Sequence, residues 1–380
     1  MGADDGAMSF ASNDPARDMA HCPSAARGVS LKDQLIARIK AHGPMSVAEY
    51  MGDCLLHPTL GYYTTQHPFG GSGDFITAPE TSQMFGELIG LCLVQAWVDQ
   101  GRPSPFALVE LGPGRGVLMA DILRAAAQVP DFARAAEVIL VEASPKLQEI
   151  QRDTLKAHAV TFVKDVASLP QCPLFVVANE FFDALPIRQF VRSGPHWRER
   201  QVGCDAEQLI FGMGAQTPQP ALNARLSDTK EHDLVEYAPA AAPIMSELGS
   251  RIDTHGGAGL IIDYGDWRSL GDTLQAVRQH EYTGVLDHPG ESDLTAHVDF
   301  EALAQAVPCA FSRLTPQGVF LERLGITQRA QRLAQNLPKD LLEQHIKAHR
   351  RLTHPEEMGN LFKVLGLFPH GKAPPAGLEI

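Results

Sequence analysis

Apolar residues first recur with helical spacing just past residue 30. Leu31, Leu35, Ile36 and Ile39 share one helical face, and Ser30 with Asp33 forms a capping box that starts the helix. Gly43-Pro44 stops it, and Ser46 with Glu49 starts another. Across residues 61–79 the periodicity lapses into GYYTTQHPFGGSGDFITAP, the kind of long irregular loop that compact domains use for function. An apolar helix is predicted over residues 83–99, ended by Gly101 and Pro103. Beyond it short apolar runs at 107–111, 138–141, 160–163 and 174–178 alternate with helical stretches at 117–127 and 145–158. Strands separated in this way pair in parallel. The fully apolar run at 174–178 belongs in the middle of the sheet.

The alternation breaks after Pro186. Residues 187–191 and 197–202 read as a hairpin around Ser193-Gly194-Pro195, and a polar stretch to about Asp233 reads as an insertion. A helix near 240–253, a buried strand at 259–262 and later strands at 310–314 and 362–367 complete the pattern. The fold class is therefore α/β: a Rossmann-like, mostly parallel sheet with added N-terminal helices and an inserted substrate-side subdomain. The division expected is a disordered tail over 1–29, a helical and lid region over 30–104, a core over 105–370 with its insertion at 187–257, and a tail over 371–380.

Composition narrows the partners. The 380 residues carry 32 Lys and Arg against 45 Asp and Glu, a net charge of −13 with His neutral. That excludes broad binding to nucleic acid or an anionic membrane, both of which require positive charge. No apolar run reaches the ~18 residues of a membrane span. The six cysteines include no Cys-x-x-Cys, so no zinc ribbon or redox motif is visible and no metal is expected. The start, MGADDGAMSFASNDPARD, lacks the apolar core of a signal peptide and is too acidic for a transit peptide. Its sequence points to a cytoplasmic, bacterial location.

The segment with the clearest chemistry is Val109-Glu110-Leu111-Gly112-Pro113-Gly114-Arg115-Gly116, at the turn from the first core strand into a helix. Glycines there let the backbone take unusual dihedrals and approach a ligand, and the helix start offers free N–H groups. A dinucleotide fingerprint counted from Gly112 requires Gly at position 117, where Val117 stands. The acid two residues before the first glycine instead resembles the first motif of class I methyltransferases, in which it lies near a cationic amino-acid group. Glu142 ends the second strand and is a candidate for ribose hydroxyls, although it follows Gly112 by thirty residues rather than about twenty. Asp165 follows the third strand, as an adenine contact or a surface turn. The fourth strand runs into Asn179-Glu180-Phe181-Phe182-Asp183, at the end of a central strand where ligands bind. Thr77 and Glu80 either face the cofactor or cap the next helix. His297 is a proton acceptor, a substrate contact or a structural histidine. Asp263 and Tyr264 face the same crevice if the topology is parallel.

Taken together, GYYTTQHPFGGSGDFITAPETSQMFGELIG, VELGPGRG, NEFFDALP and LTAHVDF resemble the MidA-type methyltransferase family, over about residues 30–368. That family includes a mitochondrial assembly factor for respiratory complex I. The resemblance implies a class I methyltransferase fold, S-adenosyl-L-methionine as cofactor and a protein substrate. For the mitochondrial member it implies an arginine of the 49 kDa-type complex I subunit. Carried over by position, Glu110, Gly112, Gly114 and Gly116 match the cofactor loop, Glu142 the ribose position, and Asn179 and Glu180 the active-site segment. Beside them, Asp165 and Thr77 are further candidate cofactor contacts, with Asn179, and Asp183 and His297 are candidate catalytic residues with Glu180. Two alternatives stand beside this reading: a non-catalytic S-adenosyl-L-methionine-binding assembly factor, and a nicotinamide-dependent dehydrogenase. Oligomeric state is left open, a homodimer included.

Overall fold

In the computed structural model, which describes residues 29–65 and 77–380, the apolar runs assemble into one twisted sheet. Its strands lie in the order Ala310–Phe311, Phe362–Phe368, Gly257–Asp266, Leu174–Asn179, Phe106–Leu111, Ala136–Val141, Val160–Val163. The last five pair in parallel, and Phe362–Phe368 joins Gly257–Asp266 antiparallel. The chain leaves Phe106–Leu111 toward one edge and later returns to build the other. The order therefore reverses between Phe106–Leu111 and Leu174–Asn179, which opens a crevice at their C-terminal ends. The tail before residue 29 and most of the irregular loop, residues 66–76, lie outside the described residues.

Local chemistry accounts for the flanking helices. Both capping boxes form, Ser30 with Asp33 and Ser46 with Glu49. Gln83–Asp99 buries residues around most of its circumference, as a helix does when packed on both sides. It lies against Val117–Ala126 closely enough that a Cβ on Gly90 would meet Ile122 Cα at 2.9 Å. Beneath them Trp97, Phe106, Phe132 and Phe175 stack with ring centroids 4.8 to 5.4 Å apart. Such pairs add about 0.5–1.5 kcal/mol each beyond their area burial, and they anchor the strand that carries Glu110.

The hairpin expected after Pro186 forms, and other sequence expectations need correction. The hairpin after Pro186 belongs to a second, antiparallel sheet of Met45–Ser46, Arg188–Ser193, His196–Asp205, Gln208–Thr217 and Leu234–Tyr237. The polar stretch thus contains a ten-residue strand, Gln208–Thr217, hidden from the sequence pattern by Gly212 and Gly214. The helix Ala241–His255 buries Met245, Leu248 and Ile252 against the main sheet, although its sequence position fell within the insertion. Only Ala310–Phe311 of the run at 310–314 pairs with Phe362–Phe368 before the chain turns. The C-terminal residues pack rather than trail: Leu378 is buried in the core and the Arg313 N–H donates to the Glu379 carbonyl.

Candidate active site

The crevice between the two central strands offers about 400 Å³ of space, part of it open to solvent, lined by Thr77, Glu80, Glu110, Gly112, Gly114, Arg115, Asn179 and Glu180, among others. Gly112, Gly114 and Gly116 take φ of 60°, 52° and 80°, a left-handed path that suits glycine. Gly112 has a second constraint, since a Cβ there would sit 2.8 Å from the Phe181 ring. Gly116 precedes the helix Val117–Ala126, whose dipole starts at the cavity wall.

Glu110 enters from the strand below, 3% exposed, and its Oε2 has no partner among the described residues. Burial pushes its carboxyl up to about 8, against the pull of the Met119 N–H. Asn179 Oδ1 is likewise buried and unpartnered. A buried acceptor left unpaired costs about 1–3 kcal/mol, so two of them on one cavity wall fit a cationic ligand rich in N–H donors. They do not fit a pyrophosphate.

The opposite wall is the turn after Leu174–Asn179. Glu180 has φ of 52°, a conformation that costs a non-glycine residue about 1–3 kcal/mol. Its Oε1 accepts from the Ala78 N–H at 3.1 Å and from Asn179 Nδ2 at 3.0 Å. Burial pushes this carboxyl up to about 7, with Ala78, Asn179 and Arg351 opposing. Behind it Asp183 is buried with Oδ1 unpartnered. Burial first, then the charges of Asp263, Glu180 and Asp293, raise its pKa well above the ordinary range, with the nearby Tyr264 hydroxyl opposing. Tyr63 donates to Asp293 at 2.8 Å. Carboxyls therefore crowd this wall.

Other expected site residues lie apart. Glu142 is buried at the end of Ala136–Val141, where its oxygens accept from the Ser144 N–H at 2.7 Å and Gln151 Nε2 at 3.1 Å. The extra helix Pro130–Ala135 explains its long spacing from Gly112. Gln151, which sequence reasoning missed, also donates to the Gly114 carbonyl at 2.8 Å and so ties Glu142 to the glycine turn. Asp165 caps the turn Val166–Ser168 with its own side chain, and does not line the cavity. Thr77 lines it, but its side chain makes no cap bond to the helix Ala78–Thr81. His297 lies in a different pocket with Phe182, Glu236 and Asp299, its ring edge-on to Tyr264 at 5.3 Å. Among the described residues no cluster suited to a metal ion occurs, and no helix is long and apolar enough to cross a membrane.

A family profile described as an S-adenosyl-L-methionine-dependent methyltransferase matches residues 88–318. The mitochondrial protein arginine methyltransferase NDUFAF7 of Xenopus laevis is 36% identical, over 90% of this chain and 85% of its own. Its Homo sapiens counterpart is 35% identical over 88% and 82%. A Burkholderia thailandensis crystal structure bound to S-adenosyl-homocysteine superposes with a TM-score of 0.78 at 29% identity, covering 91% of this chain and 93% of that one. These findings correct the cytoplasmic expectation: both curated relatives are mitochondrial proteins. An acidic N-terminal sequence was a weak guide to location.

Proposed function

Because the chain belongs to the MidA-type family of S-adenosyl-L-methionine-dependent methyltransferases, we propose that Glu110 and the glycine turn hold the amino-acid end of that cofactor, while the Glu180 turn presents a protein arginine to it. When bound, the cofactor supplies a methyl group on a positively charged sulfur that is already a good leaving group. Glu110 Oε2 and Asn179 Oδ1 accept from the cationic ammonium, and Gly112, Gly114 and Gly116 let the backbone close around it. Glu142 takes the ribose hydroxyls, steered by Gln151. Thr77 lines the same wall, and Asp165 remains an adenine contact only if its side chain leaves its cap.

Arginine is a poor nucleophile because its guanidinium stays protonated. Carboxylates must hold it in a fixed orientation and keep the charge in place while the new bond forms. Glu180 supplies one contact through the oxygen not used by Ala78 and Asn179, with Asp183 behind it as second acid. With the cofactor bound, its methyl carbon would pass from sulfur to the acceptor nitrogen, and a carboxylate of this wall would take the proton that the nitrogen gives up. The observation that carries this reading is the buried oxygen of Asp183, unpartnered among the described residues, beside Glu180, Asp263 and Asp293: a cluster of acids whose ionisation burial and mutual repulsion oppose and a guanidinium would restore. The relatives' designation as protein arginine methyltransferases supports it. The 49 kDa-type subunit of respiratory complex I is the substrate to try first.

The test pairs calorimetry with mass spectrometry. E180Q should bind S-adenosyl-homocysteine as the wild type does, yet transfer methyl groups to an arginine of that subunit about 100- to 1000-fold more slowly, the scale of losing one aligned transition-state contact. Turnover within about twofold of wild type would remove Glu180 from the mechanism. Binding without transfer by the wild type, to any subunit offered, would favour the non-catalytic assembly factor.

A further inference from the structure

The strand Gly257–Asp266 pairs with Leu174–Asn179 so that Ile262 lies beside Asn179. The next residue, Asp263, therefore stands under the turn that begins at Glu180. It is fully buried. Its Oδ2 accepts three successive backbone N–H groups, from Phe181 at 3.2 Å, Phe182 at 2.9 Å and Asp183 at 3.2 Å. Its Oδ1 accepts a fourth, from Tyr264 at 2.9 Å. Successive N–H groups converging on one oxygen form an anion-binding nest. Here the anion is supplied from the neighbouring strand.

Two consequences follow for the residues above. The Glu180 N–H is held by the Ile262 carbonyl at 2.9 Å, and the three N–H groups after it are held by Asp263. Glu180 is thus pinned on both sides in its left-handed conformation. The same fixation lays the Phe181 ring over Gly112, which joins the acidic turn to the glycine turn. No charged partner is needed, because four N–H donors satisfy the carboxylate.

We infer that Asp263 is the positioning residue of the active site: its carboxylate sets the backbone that aims Glu180 and seats Phe181 on the cofactor loop, without touching either ligand. This rests on Glu180 being the acceptor-binding carboxylate. Burial, then the charge of Glu180, push the Asp263 carboxyl up to about 8, against the pull of its backbone donors. The positioning role rests on the four N–H donors its two oxygens accept.

The experiment is a double-mutant cycle with an independent readout on the backbone, performed on the full chain. D263A should lower kcat by about 100-fold, the cost of displacing an aligned group by roughly 1 Å, with a much smaller change in the KM for the acceptor. In an E180D background, where the carboxylate is already displaced, D263A should cost less than about fivefold, since contacting residues couple strongly. D263N keeps one acceptor oxygen but sets its NH₂ against the Tyr264 N–H. It should fall between, at about tenfold, and it carries the cycle if D263A does not fold. Amide exchange at Phe181, Phe182 and Asp183 should quicken at least tenfold in D263A, while Val176 to Ala178 stay protected. An equal loss of kcat in both backgrounds, or unchanged exchange at those three amides, overturns the inference. Full turnover by E180Q would instead refute the role given to Glu180 and leave the exchange result standing.

Discussion

At the glycine end of the crevice the protein offers exposed backbone and the buried carboxyl of Glu110, with the Arg115–Glu80 ion pair beside them. At the other end it offers a crowd of carboxyls on a turn whose first residue, Glu180, is held left-handed. The glycine end stores little strain, since its positive φ values fall on glycines, and beside it lie buried oxygens of Glu110 and Asn179 that have no partner among the described residues. The acidic end stores backbone strain and mutual repulsion, offset by hydrogen bonds from a neighbouring strand. One end suits the amino-acid part of a ligand, which no bond change touches. The other suits a cationic group whose charge and bonding change during reaction, where fixed orientation matters more than affinity.

The most damaging change joins the two ends. Gly112→Val adds a branched side chain at φ 60° and places its Cβ 2.8 Å from the Phe181 ring. The left-handed conformation alone costs an L-residue about 1–2 kcal/mol, and the ring must also move. We expect S-adenosyl-homocysteine affinity to fall at least about 100-fold, or ~2.7 kcal/mol, by calorimetry. Because Phe181 shares its turn with Glu180, any residual turnover should fall further than the binding loss explains. A variant that binds within threefold of wild type would show that the two ends are independent.

A smaller effect is expected at Glu110. Glu110→Gln keeps the shape and removes the charge that meets the ammonium. Hydrogen bonds to charged groups are worth about 1.5–3 kcal/mol, so affinity should drop about 10- to 100-fold while kcat at saturation changes little. The same residue gives a pH signature. Its folded carboxyl titrates near 8, above the ordinary 4.5. The stability it contributes is therefore intact below about pH 4.5 and is lost as pH rises through 8. The thermal midpoint of the cofactor-free protein should decline over that window. Glu110→Gln or saturating S-adenosyl-homocysteine should flatten the decline, and an unchanged slope in both would exclude Glu110 as its source.

The two ends also differ in how far the sequence reveals them. Glu110, Gly112, Gly114 and Gly116 fall within seven residues, on a strand and a helix start whose apolar pattern is plain. The parallel order followed from the alternation, and with it the crevice beside Asn179 and Glu180. Asp263 was visible as an acid ending an apolar strand. Its partners lie about eighty residues away, and only strand adjacency in the folded sheet brings them together. The coupling of Gln151 to Gly114 and Glu142 depends likewise on how a helix docks. The strand Gln208–Thr217 escaped notice because its glycines and polar residues mask its period. Asp165 was left between two readings because a turn aspartate capping its own chain, as it does here, has the same sequence as one facing a ligand.

His297 tests where the acidic end stops. It shares a motif with residues of the same family pattern, yet the fold puts it in a pocket beyond Phe182, outside the cavity that holds Glu180. Burial and the charge of Lys363 lower its pKa, so it is neutral at physiological pH and free to accept a proton. What separates it from the reaction is geometry: its ring meets Tyr264 edge-on at 5.3 Å, and Tyr264 meets Asp183. A proton acceptor must come within hydrogen-bond reach of the atom it serves, and a ring contact through a tyrosine does not provide that. His297→Ala should therefore reduce kcat by no more than about threefold, through a looser Tyr264, and leave the acidic limb of the pH profile where Glu180 sets it, near 7. A fall beyond about 100-fold with that limb displaced would mean that the acidic end extends through Tyr264 into the second pocket, and that the proton leaves by His297.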